Sequence, residues 1–310
     1  MNKKASGSKL HPRNVHNKGY DFDLLTTAHP ALIPFVIKTP SNNQSIDFSN
    51  NKAVKTLNQA LLKAHYNIEF WDIPEQNLCP PIPGRVDYIH YLADLLSEDN
   101  NKIIPKGKQV KVLDIGTGAN LVYPLTGSSE YQWKFTGTDI DPLAIKVAKQ
   151  IAQFNGLKIN IKHQKQPSNI FKGVISKNDL YHLTLCNPPF HASAEQASKG
   201  SERKWKNLNK TPANALNFGG KNNELWCEGG EVKFVSDMIE QSAHFADQVL
   251  WFTSLVSKKE TLAFLKAKLN TVPIAQYKVI DMAQGQKVSR FIAWTYFNKA
   301  TREQICKEFA

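Results

Sequence analysis

From residue 110 onward, short apolar runs alternate with segments of helical period, and this alternation narrows the possible folds more than any other feature. "VKVLDI", "YQWKFTGTDI", "INIKH", "LYHLTLC" and "QVLWFTSLV" read as strands. "DPLAIKVAKQIAQFN", "EVKFVSDMIEQSAHF" and "KKETLAFLKAKL" read as helices. In the first of these, Asp141 is a natural N-cap, Pro142 suits the first helical position, and Leu143, Val147, Ile151 and Phe154 form the expected apolar stripe. Strands alternating with helices predict an α/β fold, a mostly parallel doubly wound sheet. "YKVIDM" and "RFIAWTYF" flank a turn and predict an antiparallel hairpin at the end of the chain.

The first hundred residues lack this rhythm. "NNKAVKTLNQALLKAHY" carries Val54, Leu57, Leu61 and Ala64 at helical spacing, and "RVDYIHYLADLL" sets Val86, Ile89, Leu92 and Leu96 on one face. "DFDLLTTAHPALIPFVI" reads as further short helix. The polar linker "SEDNNKIIPKGK" predicts a boundary near residue 100, between a mainly helical extension (1–100) and the α/β domain (101–310).

Five basic residues, Lys3, Lys4, Lys9, Arg13 and Lys18, precede the first acid, Asp21. The formal net charge of the 310 residues is +12. That balance favours a polyanionic partner, nucleic acid before membrane, and makes Arg13 and Lys18 candidate phosphate contacts. The four cysteines form no CxxC pair, so neither a metal site nor a disulfide framework is expected, and reduced thiols fit a cytoplasmic protein. No apolar segment follows the N-terminal lysines and none is long enough to span a bilayer, so no signal peptide or membrane span is expected.

Ligands of an open α/β sheet bind beyond the carboxyl ends of its strands. Three strand ends carry signals. "VLDIGTG" is a DxGxG turn: Gly116 and Gly118 permit close backbone approach, while Leu121 stands where a dinucleotide site would have a third glycine. This form suits the amino-acid end of S-adenosylmethionine, with Asp114 and backbone carbonyls meeting its ammonium. "TGTDID" ends the next strand in Asp139, free to accept ribose hydroxyls because Asp141 already explains the helix cap. The third end, "LTLCNPPF", stops at Asn187-Pro188-Pro189-Phe190. Two prolines cannot continue a strand. The Asn187 side-chain oxygen and the Pro188 carbonyl are acceptors on a stiffened turn, able to hold both N–H protons of an adenine amine, and Phe190 offers a face for an extruded base.

With these motifs the chain resembles the ribosomal RNA large-subunit methyltransferase F family, adenine-N6 methyltransferases acting on 23S rRNA. The carrying stretches are "LHPRNVHNKGYDF", "IPGRVDYIHYLADLL", "VLDIGTGANLVYPL", "TGTDID", "CNPPFHAS", "ELWCEGGEVKFV" and "QGQKVSRFIAWTYF", in order across nearly the whole chain. The resemblance implies a class I methyltransferase domain using S-adenosylmethionine, a catalytic Asn187–Phe190 box, and Arg85 reaching the cofactor carboxylate. No acid follows the "INIKH" strand to hold the cofactor's adenine amine, which leaves His163, Gln164 or backbone. A basic substrate loop is expected at 191–230, where Arg203, Lys204 and Lys206 mix with aromatics, and Lys287 and Arg290 of the closing hairpin are expected to grip phosphates. The expected partner is 23S rRNA or a large-subunit assembly intermediate, met by a monomer. The rival readings are a DNA-adenine or protein-glutamine methyltransferase, and a non-catalytic RNA-binding module.

Overall fold

The computed structural model describes residues 10–193, 222–284 and 287–307. After a 3-10 turn (Val15–Lys18), the first α-helix among the described residues is α1 (Phe22–Ala28), capped by Asp21, whose side chain accepts from Leu24 N. A 3-10 turn (Pro30–Phe35) leads to a small antiparallel pair, β1 (Val36–Lys38) and β2 (Gln44–Ile46). The pattern of "DFDLLTTAHPALIPFVI" predicts short helix throughout, and only its first part is an α-helix. Pro30 and Pro34 break it, because neither can donate to a helical ladder. Two long helices follow, α2 (Asn51–Tyr66) and α3 (Ile82–Glu98).

The central sheet is built from β3 (Lys111–Ile115), β4 (Lys134–Asp139), β5 (Asn160–His163), β6 (Tyr181–Cys186), β7 (Val249–Val256), β8 (Gln276–Gln284) and β9 (Lys287–Thr295). Their order is β5-β4-β3-β6-β7-β9-β8. The first five run parallel, and β9 is antiparallel to both neighbours. β8 therefore runs in the same sense as the central strands, and the predicted fold class and closing hairpin are what the sheet contains. All six residues of β6 are buried, as a central parallel strand covered on both faces requires.

One face packs on α2, α3, α4 (Val122–Tyr131) and α5 (Pro142–Phe154), with Leu61, Leu92, Leu125 and Ile151 meeting Val112 and Leu183. After the short α6 (Asn222–Leu225), helices α7 (Gly230–Ser242) and α8 (Thr261–Leu269) cover the other face, where Val235, Met238 and Leu265 meet Leu113 and Ile115. The chain then ends its described part in α9 (Lys299–Lys307). Asp141 caps α5 as expected, accepting from Leu143 N at 2.8 Å. The buried stripe of α5 is nevertheless different from the one the pattern suggested. Ala144, Ile145, Ala148, Ile151 and Ala152 face the sheet, while Leu143 and Phe154 are 59% and 67% exposed. Small alanines bring the helix close to the strands, and Phe154 packs instead against Phe70, ring centroids 4.6 Å apart.

The apolar core does not pause at residue 100. Leu57, Tyr88 and Leu96 lie in the same cluster as Val112, Leu125 and Leu250. A buried ion pair ties the same regions. Arg302 of α9 meets Asp99, just past α3, at 2.9 Å, with side chains 4% and 3% exposed. Trp251 Nε1 donates to the same Asp99 oxygen, and the Arg302 guanidinium lies 4.8 Å from the Trp251 ring. No helix among the described residues is long and apolar enough to cross a membrane.

Candidate active site

Strand register brings the three sequence signals into one row. Ile115 pairs with Thr138 on one side and Cys186 on the other. One residue further along, Gly116, Asp139 and Asn187 therefore leave the sheet side by side at its carboxyl edge. Asp139 also pairs with His163 of β5. Above this row lies a cavity of about 260 Å³. Its walls include Gly116, Gly118, Asp139, Gln164, Asn187 and Pro189.

Gly116 has φ +72, and a Cβ there would meet nothing within 4 Å, so the backbone presents open space rather than a side chain to the cavity. Leu121, in place of a third glycine, takes φ 51 at the start of α4. Beneath the turn Asp114 is 1% exposed. Its Oδ2 accepts from Thr117 Oγ1 at 2.7 Å, and its Oδ1 is buried without a hydrogen-bond partner among the described residues. Burial raises the Asp114 pKa to about 7, with the neighbouring Asp139 adding to the shift and Arg85 opposing it. An unmet buried acceptor of adjustable charge is chemically compatible with a cationic amine, and Asp114 lies beneath the turn, behind the residues that line the cavity.

Asp139 is rigidly held. Its Oδ2 accepts from Gly118 N and its Oδ1 from Asp141 N, both at 2.9 Å. Burial raises its pKa against those two hydrogen bonds, and nearby Glu224 adds repulsion. The carboxylate thus ties the Gly turn to the end of β4, and its remaining lone pairs are available to ribose hydroxyls. Arg85, in the first turn of α3, donates to Tyr123 Oη at 2.8 Å, so it is held near Asp114 rather than extended into solvent. Gln164 lines the cavity, but its amide is committed: Nε2 donates to the Lys172 carbonyl and Oε1 accepts from Gln166 N. The exposed His163 ring sits 3.2 Å from the Ile140 carbonyl.

At the end of β6, Asn187 Oδ1 is also buried and without a hydrogen-bond partner among the described residues. Pro188 is buried, and Pro189 and Phe190 are half-buried. The polar stretch that follows returns to its own start. His191 N donates to the Leu225 carbonyl and Cys227 N donates to the His191 carbonyl, each at 3.1 Å. Gly230 completes the closure, because at φ +61 a Cβ would lie 3.1 Å from Ala192 N. Both ends of the 191–230 loop are therefore pinned beside Asn187. Arg203, Lys204 and Lys206 lie outside the described residues.

This closure brings in Glu224, Cys227 and Phe234, which no motif marked, and Trp226, one of the aromatics expected in the basic loop. Glu224, Trp226, Cys227 and Phe234 all line the cavity. Glu224 accepts from Leu78 N at 3.2 Å, joining the proline-rich loop before α3 to the returning segment. The second glutamate of "EGGE", Glu231, is 4% exposed and accepts from Ser257 N at 2.7 Å, which locks α7 to the end of β7. The sequence signal was present in the quoted "ELWCEGGEVKFV", but nothing in its spacing places it at the tip of β6.

The N-terminal arm uses its polar residues differently from expectation. Arg13 donates to the His90 carbonyl at 2.9 Å and to Tyr131 Oη at 3.1 Å, and pairs with Asp94 at 2.8 Å. His11 N and Asn14 Nδ2 both donate to Asp87 Oδ1. Burial lowers the His16 pKa to about 4, so it stays neutral against Tyr66 Oη at 2.8 Å. The "HPRNVH" segment is a clamp onto α3, and its Arg13 guanidinium is taken up by partners within the fold. Lys18 remains exposed. In the closing hairpin, Lys287 begins β9 opposite Gln284, at the carboxyl end of β8. Arg290 pairs with Asp281 through Nε at 3.2 Å.

The profile of a family described as RNA methyltransferase matches residues 4–298. The chain is 74% identical over 308 residues to the ribosomal RNA large subunit methyltransferase F of Pseudoalteromonas translucida, covering 99% of each. It is 54% identical to the protein of that name from Pectobacterium carotovorum, covering 94% of each. Among solved structures it is similar to the hMettl16 catalytic domain in complex with a MAT2A 3'UTR hairpin, with TM-score 0.79 and 29% identity over 94% of this chain and 96% of that one. The N-terminal domain of human METTL16 in complex with SAH matches with TM-score 0.74 and 26% identity, over 93% and 99% of the two chains.

Proposed function

Since the chain belongs to the ribosomal RNA large subunit methyltransferase F family and is an S-adenosylmethionine-dependent RNA methyltransferase, we propose that it methylates the N6 amine of one adenine in 23S rRNA. The observation that carries this reading is Asn187 Oδ1, a buried acceptor with no partner among the described residues, which shares a cavity with the Gly116 turn and Asp139. S-adenosylmethionine supplies a methyl carbon activated by its sulfonium. An adenine amine is a poor nucleophile because its lone pair is delocalised into the ring. Asn187 Oδ1 and the Pro188 carbonyl accept its two N–H protons and turn the lone pair out of the ring plane. The same acceptors stabilise the positive charge that the nitrogen gains, and the surplus proton leaves to water. Phe190 stacks on the extruded base. When S-adenosylmethionine is bound, Asp114 would hold its ammonium, Arg85 its carboxylate and Asp139 its ribose.

The substrate is 23S rRNA, free or in a partly assembled large subunit, and the enzyme works as a monomer. Lys18 and the basic residues of 191–230 contribute phosphate contacts. Transfer of a tritiated methyl group to protein-free 23S rRNA, duplex DNA and a glutamine-bearing protein tests the substrate class, and nucleoside mass spectrometry of the product tests the position. Label on DNA or protein alone would overturn the reading.

Cofactor affinity should depend on pH through Asp114. With its free-state pKa raised to about 7, protonation below that value removes the partner of the ammonium. Binding a cation lowers the pKa, so binding releases protons there and affinity falls as pH drops from 7 towards 5. The limit is about tenfold per pH unit. Calorimetry across this range checks it, and Asp114→Asn should flatten the profile. An unchanged slope in that variant would remove Asp114 from the ammonium site.

Lys287 and Arg290 should grip phosphates flanking the target. Lys287→Ala or Arg290→Ala is expected to weaken RNA binding and flatten its log–log salt dependence by about one unit or slightly less, with cofactor affinity unmoved. RNA affinity across a salt series measures this, and wild-type slopes in both variants would shift the contacts to the 191–230 loop.

A further inference from the structure

Trp226 stands next to the catalytic turn. It forms a strand-like bridge with His191, four residues beyond Asn187, and lines the same cavity. Its indole Nε1 is buried and has no hydrogen-bond partner among the described residues. An indole N–H can only donate, and buried donors left without an acceptor are rare and destabilising. Filling space does not explain the residue, since phenylalanine or leucine would do so without that cost. A ligand acceptor would complete the site.

Among the described residues that line the cavity, three side-chain atoms are buried without a hydrogen-bond partner: Asn187 Oδ1, which can only accept, Trp226 Nε1, which can only donate, and the Thr138 hydroxyl at the end of β4, which can do either. Adenine offers the complementary pair along one edge: its N6 amine donates, and the ring nitrogens on either side of it accept. Guanine opposes the acceptor with O6, which itself accepts. Cytosine carries a donor–acceptor pair on a smaller ring. We propose that Trp226 Nε1 donates to a ring nitrogen flanking the target amine, so that Trp226 and Asn187 together select adenine. The inference rests on the adenine-methylation reading above.

The test combines a protein change with a change of single atoms in the RNA. The methylated adenine is first located by mass spectrometry in enzyme-treated 23S rRNA. Splint ligation then places 1-deazaadenosine or 7-deazaadenosine at that position, each lacking one ring acceptor. Wild-type enzyme should lose about tenfold in kcat/KM on one of the two analogues, roughly the effect of stranding one buried donor. Trp226→Phe keeps an aromatic ring and loses the donor. It should lose a similar factor on natural rRNA and nothing further on that same analogue, because the two changes remove one contact. Cofactor affinity of the variant, measured by calorimetry, should match wild type, which also reports an intact fold. Full wild-type activity on both analogues, additive losses, or a cofactor-binding defect in Trp226→Phe would each overturn the proposal. If wild-type enzyme leaves 23S rRNA unmethylated, the functional reading fails and the base-selection role falls with it.

Discussion

Asn187→Ala is expected to lose methyl transfer by about two orders of magnitude or more, the scale for deleting a preorganised polar contact at a reacting group. The side-chain oxygen is buried without a hydrogen-bond partner among the described residues, and on the proposed reading it accepts from a donor that arrives with the substrate. Alanine leaves the substrate amine to one backbone carbonyl, and the lone pair stays in the ring. Cofactor affinity should remain near wild type because Asp114, Gly116 and Asp139 are untouched. Asn187→Asp keeps an acceptor but adds a charge near Asp114 and Asp139, and should fall between the two. Single-turnover transfer of labelled methyl to 23S rRNA, with calorimetry for the cofactor, separates the terms. Wild-type turnover in Asn187→Ala would refute the two-acceptor mechanism.

Arg302→Met should destabilise the fold by about 3–5 kcal/mol, the usual result of stranding one member of a buried ion pair. Asp99 is 3% exposed, and with the guanidinium gone its carboxylate keeps the Trp251 N–H while its charge is uncompensated. Arg302 also donates to the Phe297 carbonyl and to Gln276 Oε1, so α9 and the edge strand β8 lose anchorage together. Urea denaturation would show a lower midpoint. Arg302→Met combined with Asp99→Asn should recover part of the loss, since the stranded charge is then absent. Equal destabilisation in the single and double variants would mean that packing, not charge, dominates at this site. Methyl transfer by the folded fraction should be unaffected, because neither residue lines the cavity.

Local chemistry made several features legible in the sequence. The strand–helix alternation predicted a mostly parallel sheet, and the short DxGxG, TDID and NPPF strings marked its strand ends, because turns that must approach a ligand need glycine, proline and short polar side chains. Asp141 as a cap was readable for the same reason: the hydrogen bond it makes spans two residues. Register lay outside that reach. That Gly116, Asp139 and Asn187 stand in one row depends on pairing strands far apart in the chain. The return of Glu224 and Trp226 to the tip of β6 depends on backbone bonds across an intervening segment whose length alone gave no closing point. Charge alone could not show partners: Arg13, expected to contact phosphate, is exposed, yet Asp94, His90 and Tyr131 bond its guanidinium once α3 is in place. The α5 face shifted because alanines at Ala144, Ala148 and Ala152 allow close approach to the sheet, which a hydrophobicity pattern cannot weigh. The sequence by itself determined which residues can do the chemistry, through side-chain type and local backbone freedom. The tertiary structure alone decided which of them meet, since long-range pairing and burial set whether a polar group keeps its capacity for a ligand or gives it to the fold.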